Sequence, residues 1–298
     1  MKKKVVFRGV ATALITPFRD GRIDIDTLKS LIDMQIEAGI EALVIGGTTG
    51  EAATLSEEER YLIYRESASI IGGRCKLILG TGTNDTRTTR RYTEYAAKVG
   101  CDGVLLVTPY YNKGTKEGVI RHYEEAANAA DVPIILYNVP SRTGVNLDVE
   151  ILKRLSEHEN IVGIKEASGV GGRLLELSLF GDELYLYAGN DSEIYASLSV
   201  GGMGVISVVS NLFPKETQEI CNLYFTNQAK KSLEAQKRML PLIESLFLET
   251  NPAPIKYAMS SEGLCLPDMR LPMWLPREST RRRIDSAISD FKNKENFS

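Results

Sequence analysis

Lys165 stands in the stretch "IVGIKEASG" (161–169), directly after Ile-Val-Gly-Ile. A lysine in the middle of an apolar strand has too short a stem to bring its ammonium to bulk water. Burial disfavours the charged form and lowers the pKa. A neutral amine can attack a carbonyl and form a Schiff base. The ordinary reading of a lysine is a snorkelling side chain, or one paired with a buried carboxylate. The apolar run before Lys165 favours the nucleophile. Tyr137 ends another apolar run, in "YNVPSRTG" (137–144). Its hydroxyl suits proton transfer, although rim aromatics are common. Arg142, in the same turn, can clamp a carboxylate bidentately. In "GGTTGE" (46–51) the backbone amides can hold a carboxylate, with Thr48 and Thr49 adding hydroxyls. That turn lacks the Lys-Ser/Thr of a P-loop and the spacing of a dinucleotide fingerprint. The set describes a site for a small keto acid that needs no cofactor.

Something must bring these residues together. Eight β-branched, apolar runs punctuate the first 220 residues: 9–18, 42–47, 77–82, 103–109, 133–140, 161–168, 184–190 and 204–209. Most are continuous rather than alternating, as in strands buried on both faces. Between them lie amphipathic stretches with helix signals. One starts at Asp24 or Asp26 and stops at Gly39. Another opens with Ser56, has Glu59 three residues on, and ends in Gly72-Gly73. Eight strand–helix units in succession predict a parallel (β/α)8 TIM barrel, with a doubly wound sheet as the alternative. In such a barrel the active site forms at the C-terminal strand ends. The chemistry-bearing residues fall there: Thr48 and Thr49 after the second run, Tyr110 and Tyr111 after the fourth, Tyr137 and Arg142 after the fifth, Lys165 in the sixth and "AGND" (188–191) after the seventh. After Phe213-Pro214 the pattern is helical only. The expected division is a catalytic barrel over 1–224 and a C-terminal helical extension over 225–298, packed on it.

Composition excludes several classes. The net charge is −3 and no basic block follows "MKKK", so neither nucleic acid nor an anionic membrane is an expected partner. No apolar run spans a bilayer, and Arg8 interrupts the only stretch resembling a signal peptide. Four scattered cysteines without a C-x-x-C pair read as reduced thiols in a cytoplasmic protein. His122 and His158 are the only histidines, and both read as surface residues of polar helical stretches. No metal site and no Ser-His-Asp triad is expected.

"GGTTGE", "YNVPSRTG" and "GIKEASG", in this order and spacing, resemble the pyruvate-dependent class I aldolases of the dihydrodipicolinate synthase and N-acetylneuraminate lyase group. The resemblance covers nearly the whole chain. It implies a homotetramer of TIM barrels in which Lys165 forms the Schiff base with pyruvate. Thr48-Thr49 and Ser141-Arg142-Thr143-Gly144 resemble the synthase branch, whose second substrate is aspartate 4-semialdehyde and whose product leads to diaminopimelate and lysine. It further implies that Tyr137, Thr48 and Tyr111 relay protons, Tyr111 coming from the neighbouring subunit. Thr49 would bind the pyruvate carboxylate and Arg142 the carboxylate of the semialdehyde. The carbonyls of Gly189 and Ile206 would lie near its amino group or the reacting centre. A 2-keto-3-deoxysugar acid or sialic-acid lyase, or a non-catalytic keto-acid-binding barrel, are the alternatives.

The chain departs from the group in two respects. Gly114 stands where many members have proline. Members inhibited by lysine carry histidines and a glutamate at an interface site. The matching positions here are Glu57, Arg60 and Thr88, while Asn84 and Tyr110 are retained. Weak or absent feedback by lysine is therefore expected.

Overall fold

The computed structural model describes residues 2–295. Eight strands form one closed parallel barrel: β1 (Gly9–Ala13), β2 (Ala42–Ile45), β3 (Lys76–Gly80), β4 (Gly103–Val107), β5 (Ile134–Asn138), β6 (Ile161–Glu166), β7 (Tyr185–Ala188) and β8 (Gly204–Ser207). Pairing of β1 with β8, from Gly9 opposite Gly204, closes the ring. The helices that follow the strands in turn are α1 (Ile25–Glu37), α2 (Glu57–Ile71), α3 (Thr86–Lys98), α4 (Lys116–Ala127), α5 (Val149–Ser156), α6 (Arg173–Ser178), α7 (Ile194–Ser199) and α8 (Pro214–Phe225). The expected TIM barrel is the fold observed. Its strands are shorter than the apolar runs. The first run, 9–18, is a barrel strand only to Ala13, and a small antiparallel ribbon (Phe18–Arg19 with Arg22–Ile23) precedes α1. Pro17, which has no N–H to give a ladder, lies between the two.

The continuous apolar runs exist because the strands face two cores. Alternation along each strand sends Ala11, Val44, Ile78, Leu105, Ile135, Tyr137, Tyr187 and Ile206 into one buried cluster inside the barrel. Their neighbours Val10, Leu43, Leu77, Val104, Leu136, Ile164 and Val205 belong to a second cluster shared with the helices. The N-terminal segment closes the barrel floor. Phe7 stacks on Tyr187 with ring centroids 4.4 Å apart, and the Tyr187 hydroxyl donates to the Phe7 carbonyl at 3.0 Å.

Caps sit where the sequence signals them. Asp24 accepts from the Thr27 N–H at 3.0 Å and starts α1. Ser56 and Glu59 form a reciprocal capping box on α2, and Gly72 ends that helix at φ 52°. His122 departs from expectation. It is buried on α4, its Nδ1 meets the Thr86 hydroxyl at 3.0 Å, and burial pushes its pKa down to about 4. His158 is half-buried, with Nε2 3.1 Å from Asn128 Oδ1. No helix among the described residues is long and apolar enough to cross a membrane.

The C-terminal segment forms α9 (Ala229–Leu246), α10 (Ala253–Ser261) and α11 (Glu278–Glu295). Helix α9 packs on α8, and α11 packs across α9 and α10. A buried ion pair ties this region to the turn after β2. Lys256 Nζ, on α10, lies 2.5 Å from Glu51 Oε1 and also donates to the Asp268 carbonyl at 2.9 Å. The second Glu51 oxygen accepts the Arg270 N–H at 3.0 Å. Arg270 in turn donates to Glu59 at 2.6 Å and to the Thr54 carbonyl at 2.9 Å. Removing one partner leaves the other buried and uncompensated. Lys256→Met should therefore cost about 3–5 kcal/mol in urea unfolding. The double variant Lys256→Met/Glu51→Gln should regain part of that loss.

Candidate active site

Strand alternation decides where Lys165 points. In register, Lys165 of β6 lies between Tyr137 of β5 and Tyr187 of β7, both members of the inner cluster. Its side chain is therefore directed inward. Only 5% of Lys165 is exposed, and Nζ lies 4.4 Å from the centroid of the Tyr137 ring. Burial, helped by the charge of Arg142 and opposed by Asp191, brings the amine down from its ordinary 10.5 to about 8. Burial also raises the Tyr137 phenol, against the opposing influence of Arg142 and the Thr48 hydroxyl.

The adjacent Glu166 does not pair with Lys165. It points to the outer face, where Oε2 accepts from Asn138 Nδ2 at 2.9 Å and Oε1 accepts the Ser168 N–H at 2.6 Å. Arg173 covers it, with Nε 3.6 Å away, and also donates to the Leu147 carbonyl. Asn138 accepts the Leu147 N–H at 3.0 Å and donates to Asn146 at 2.8 Å. These buried polar residues pin the loop after β5. Within that loop a one-turn helix, Pro140–Thr143, carries Arg142.

The turn after β2 lies directly against β3. A Cβ at Gly80 would stand 2.3 Å from the Gly46 carbonyl oxygen, so no larger residue fits there. Gly46 itself adopts φ 69°. This close approach holds Thr48, half-buried, and Thr49, buried, above the strand ends. Thr49 Oγ1 accepts from Asn251 Nδ2 at 3.0 Å, and Arg142 Nη2 donates to the Asn251 carbonyl at 2.9 Å. A cavity of about 310 Å³ is lined by Thr48, Tyr110, Tyr137, Arg142 and Asn251 among others. Gly189 follows β7, where a Cβ would meet the Glu166 carbonyl at 2.6 Å. Ile206 is fully buried on β8.

The barrel thus brings Lys165, Tyr137, Thr48, Thr49 and Arg142 to one end, with Gly189 just after β7 and Ile206 on β8. Tyr111 is not brought to them within one chain. It is 90% exposed, at φ 70°, beside the cavity-lining Tyr110. Sequence reasoning missed Asp191 and Asn251. Asp191 is buried after β7, and Oδ2 accepts the N–H groups of Val208 and Val209 at 3.0 and 2.9 Å. Burial raises its pKa, while the Ser207 hydroxyl, these N–H groups and Lys165 act to lower it. Its place in "AGND" was a usable signal. Asn251, far along the chain in a helical region, gave none.

A closed barrel with an inward, desolvated amine on its sixth strand, flanked by a phenol, defines a Schiff-base-forming lyase. The chain belongs to the dihydrodipicolinate synthetase family, whose model matches residues 6–291. It is 44% identical over 280 residues to the 4-hydroxy-tetrahydrodipicolinate synthase of Alkaliphilus oremlandii, covering 94% of this chain and 97% of that one. The structure of the synthase from Methylacidiphilum fumariolicum SolV superposes with a TM-score of 0.94 at 41% identity, covering 96% of both chains. That of the chloride-inhibited Acinetobacter baumannii dihydrodipicolinate synthase, complexed with pyruvate, does so at 0.93 and 38%, covering 96% of this chain and 99% of that one.

The lowered pKa of Lys165 has a sign that can be checked. Between about pH 8 and 10.5 the unfolded chain holds a proton on this amine that the native state has lost. Native stability therefore rises with pH across that window, and below it the fold carries a buried ammonium. Imine formation with pyruvate, followed by borohydride trapping at varied pH, should show an acid limb centred near 8. Asp191→Asn removes a charge that favours the ammonium, so the midpoint should move lower.

Proposed function

We propose that this chain carries out the reaction for which its full-length relatives are named, the synthesis of 4-hydroxy-tetrahydrodipicolinate from pyruvate and L-aspartate 4-semialdehyde. The observation that carries the reading is the inward amine of Lys165 against the Tyr137 ring, on a barrel about 40% identical to those relatives over its length. The Lys165 amine attacks the C2 carbonyl of pyruvate, and water leaves as the imine forms. Loss of a methyl proton gives the enamine, with the protonated imine as electron sink. The enamine carbon then attacks the aldehyde. The amino group of the second substrate next displaces Lys165 from C2, which closes the ring and frees the enzyme. Each step moves a proton, and the phenol of Tyr137 beside the Thr48 hydroxyl suits that task.

Thr49 and the amides of its turn receive the pyruvate carboxylate in this reading. Arg142 receives the carboxylate of the semialdehyde, and the carbonyls of Gly189 and Ile206 flank the reacting atoms. Tyr111 acts across an interface: its exposed ring beside the site supports a role in a neighbouring copy, within a homotetramer. Arg60 supports weak or absent feedback by lysine. Its guanidinium donates to the Gly80 and Ala52 carbonyls, fixing a positive charge at one of the positions matched to the interface site that binds a cationic amino acid in inhibited members.

Borohydride reduction with pyruvate should leave one adduct per chain, on Lys165, and none in Lys165→Ala. An adduct that survives in that variant sinks the assignment. Arg142→Ala should lower kcat/KM for the semialdehyde by about 10²-fold, as loss of charge-assisted hydrogen bonds implies, with pyruvate trapping retained. Low-millimolar lysine should leave the rate unchanged, and inhibition in that range would refute the feedback reading.

A further inference from the structure

Asn251 lies between α9 and α10, outside the barrel strands, yet it touches two residues at the strand ends. Its side-chain Nδ2 donates to Thr49 Oγ1 at 3.0 Å. Its main-chain carbonyl accepts from Arg142 Nη2 at 2.9 Å. Thr49 belongs to the turn after β2 and Arg142 to the loop after β5, and these loops are not neighbours around the barrel. Asn251 is 7% exposed, and it lines the same cavity as Thr48, Tyr137 and Arg142. Its Oδ1 has no hydrogen-bond partner among the described residues. A buried amide oxygen in a native site is normally satisfied, by protein, by water or by a ligand.

We propose that Asn251 is a positioning residue that sets both substrate subsites at once, orienting the Thr49 hydroxyl with its amide and the Arg142 guanidinium with its carbonyl. The proposal rests on the roles given above to Thr49 and Arg142. It gives the C-terminal region a part in the reaction through one side chain. A neutral amide is the suitable group there. It holds a hydroxyl without adding a negative charge beside the carboxylate of a keto acid. An aspartate cannot donate to the Thr49 oxygen; it would instead take the Thr49 proton as an acceptor, and it would repel that carboxylate.

Steady-state kinetics on the full-length enzyme test this, with thermal unfolding measured alongside. Asn251→Ala should raise the pyruvate KM about tenfold, the ratio that one hydrogen bond between neutral groups supports, with kcat held within a factor of about two. Thr49→Val should do the same, and the double variant should be no worse than either single one, because both remove one interaction. Asn251→Asp should raise the pyruvate KM further than Ala does, and added salt should reduce the difference. A lowered Tm with unchanged KM values in Asn251→Ala would overturn the proposal. So would strictly multiplicative effects in the double variant, or an Asp variant equal to Ala. If Thr49→Val and Arg142→Ala themselves have normal kinetics, the subsite assignment fails instead. If those two are impaired and the Asn251 variants are not, the coupling role alone fails.

Discussion

The organising constraint is the desolvation of one amine. Lys165 lies inside the barrel with no carboxylate in hydrogen-bond contact among the described residues, and burial outweighs the charge of Asp191. The sequence neighbour that could have neutralised it, Glu166, is kept away by the pleat. A residue next in sequence on a strand projects to the opposite face. The same pleat that isolates the amine gives Glu166 a second task outside. There it joins Asn138 and Arg173 in holding the loop that carries Arg142. One alternation thus separates a reactive group from a structural one.

The remaining geometry follows from how the loops above that amine are braced. The turn after β2 is fixed from below by its contact with β3, where Gly46 meets Gly80. It is fixed from outside by Lys256 on Glu51 and by Asn251 on Thr49. A hydroxyl aimed at a small substrate gains little from a hydrogen bond unless its own rotamer is held. The C-terminal helices supply that hold, so the barrel and its extension act as one body at the mouth.

Much of this was legible in the sequence because it depends on local pattern. Continuous apolar runs mark strands that face two cores, and the capping box at Ser56 and Glu59 marks the start of α2 within one residue. Lys165, Tyr137, Thr48, Thr49 and Arg142 could be found because strand ends are where a barrel gathers its chemistry. Asn251 and Lys256 could not. Their partners lie 202 and 205 positions away, and a single Asn or Lys in a helical stretch carries no period. His122 was misread although its signal was present. Val119, His122, Tyr123 and Ala126 are all buried at helical spacing, so the histidine belongs to the apolar stripe of α4 and not to its wet face.

The barrel floor has a consequence for traffic. Phe7 against Tyr187, and the Tyr185 hydroxyl donating to the Lys3 carbonyl at 3.0 Å, close the end of the barrel opposite the cavity. Among the described residues, these contacts leave the cavity end as the route for reactants and product. In the proposed reaction, a molecule joined to Lys165 would occupy the inner position, and whatever reacts with it would arrive on top. Until the outer guest has reacted or withdrawn, the inner one cannot leave, so the architecture itself imposes a queue.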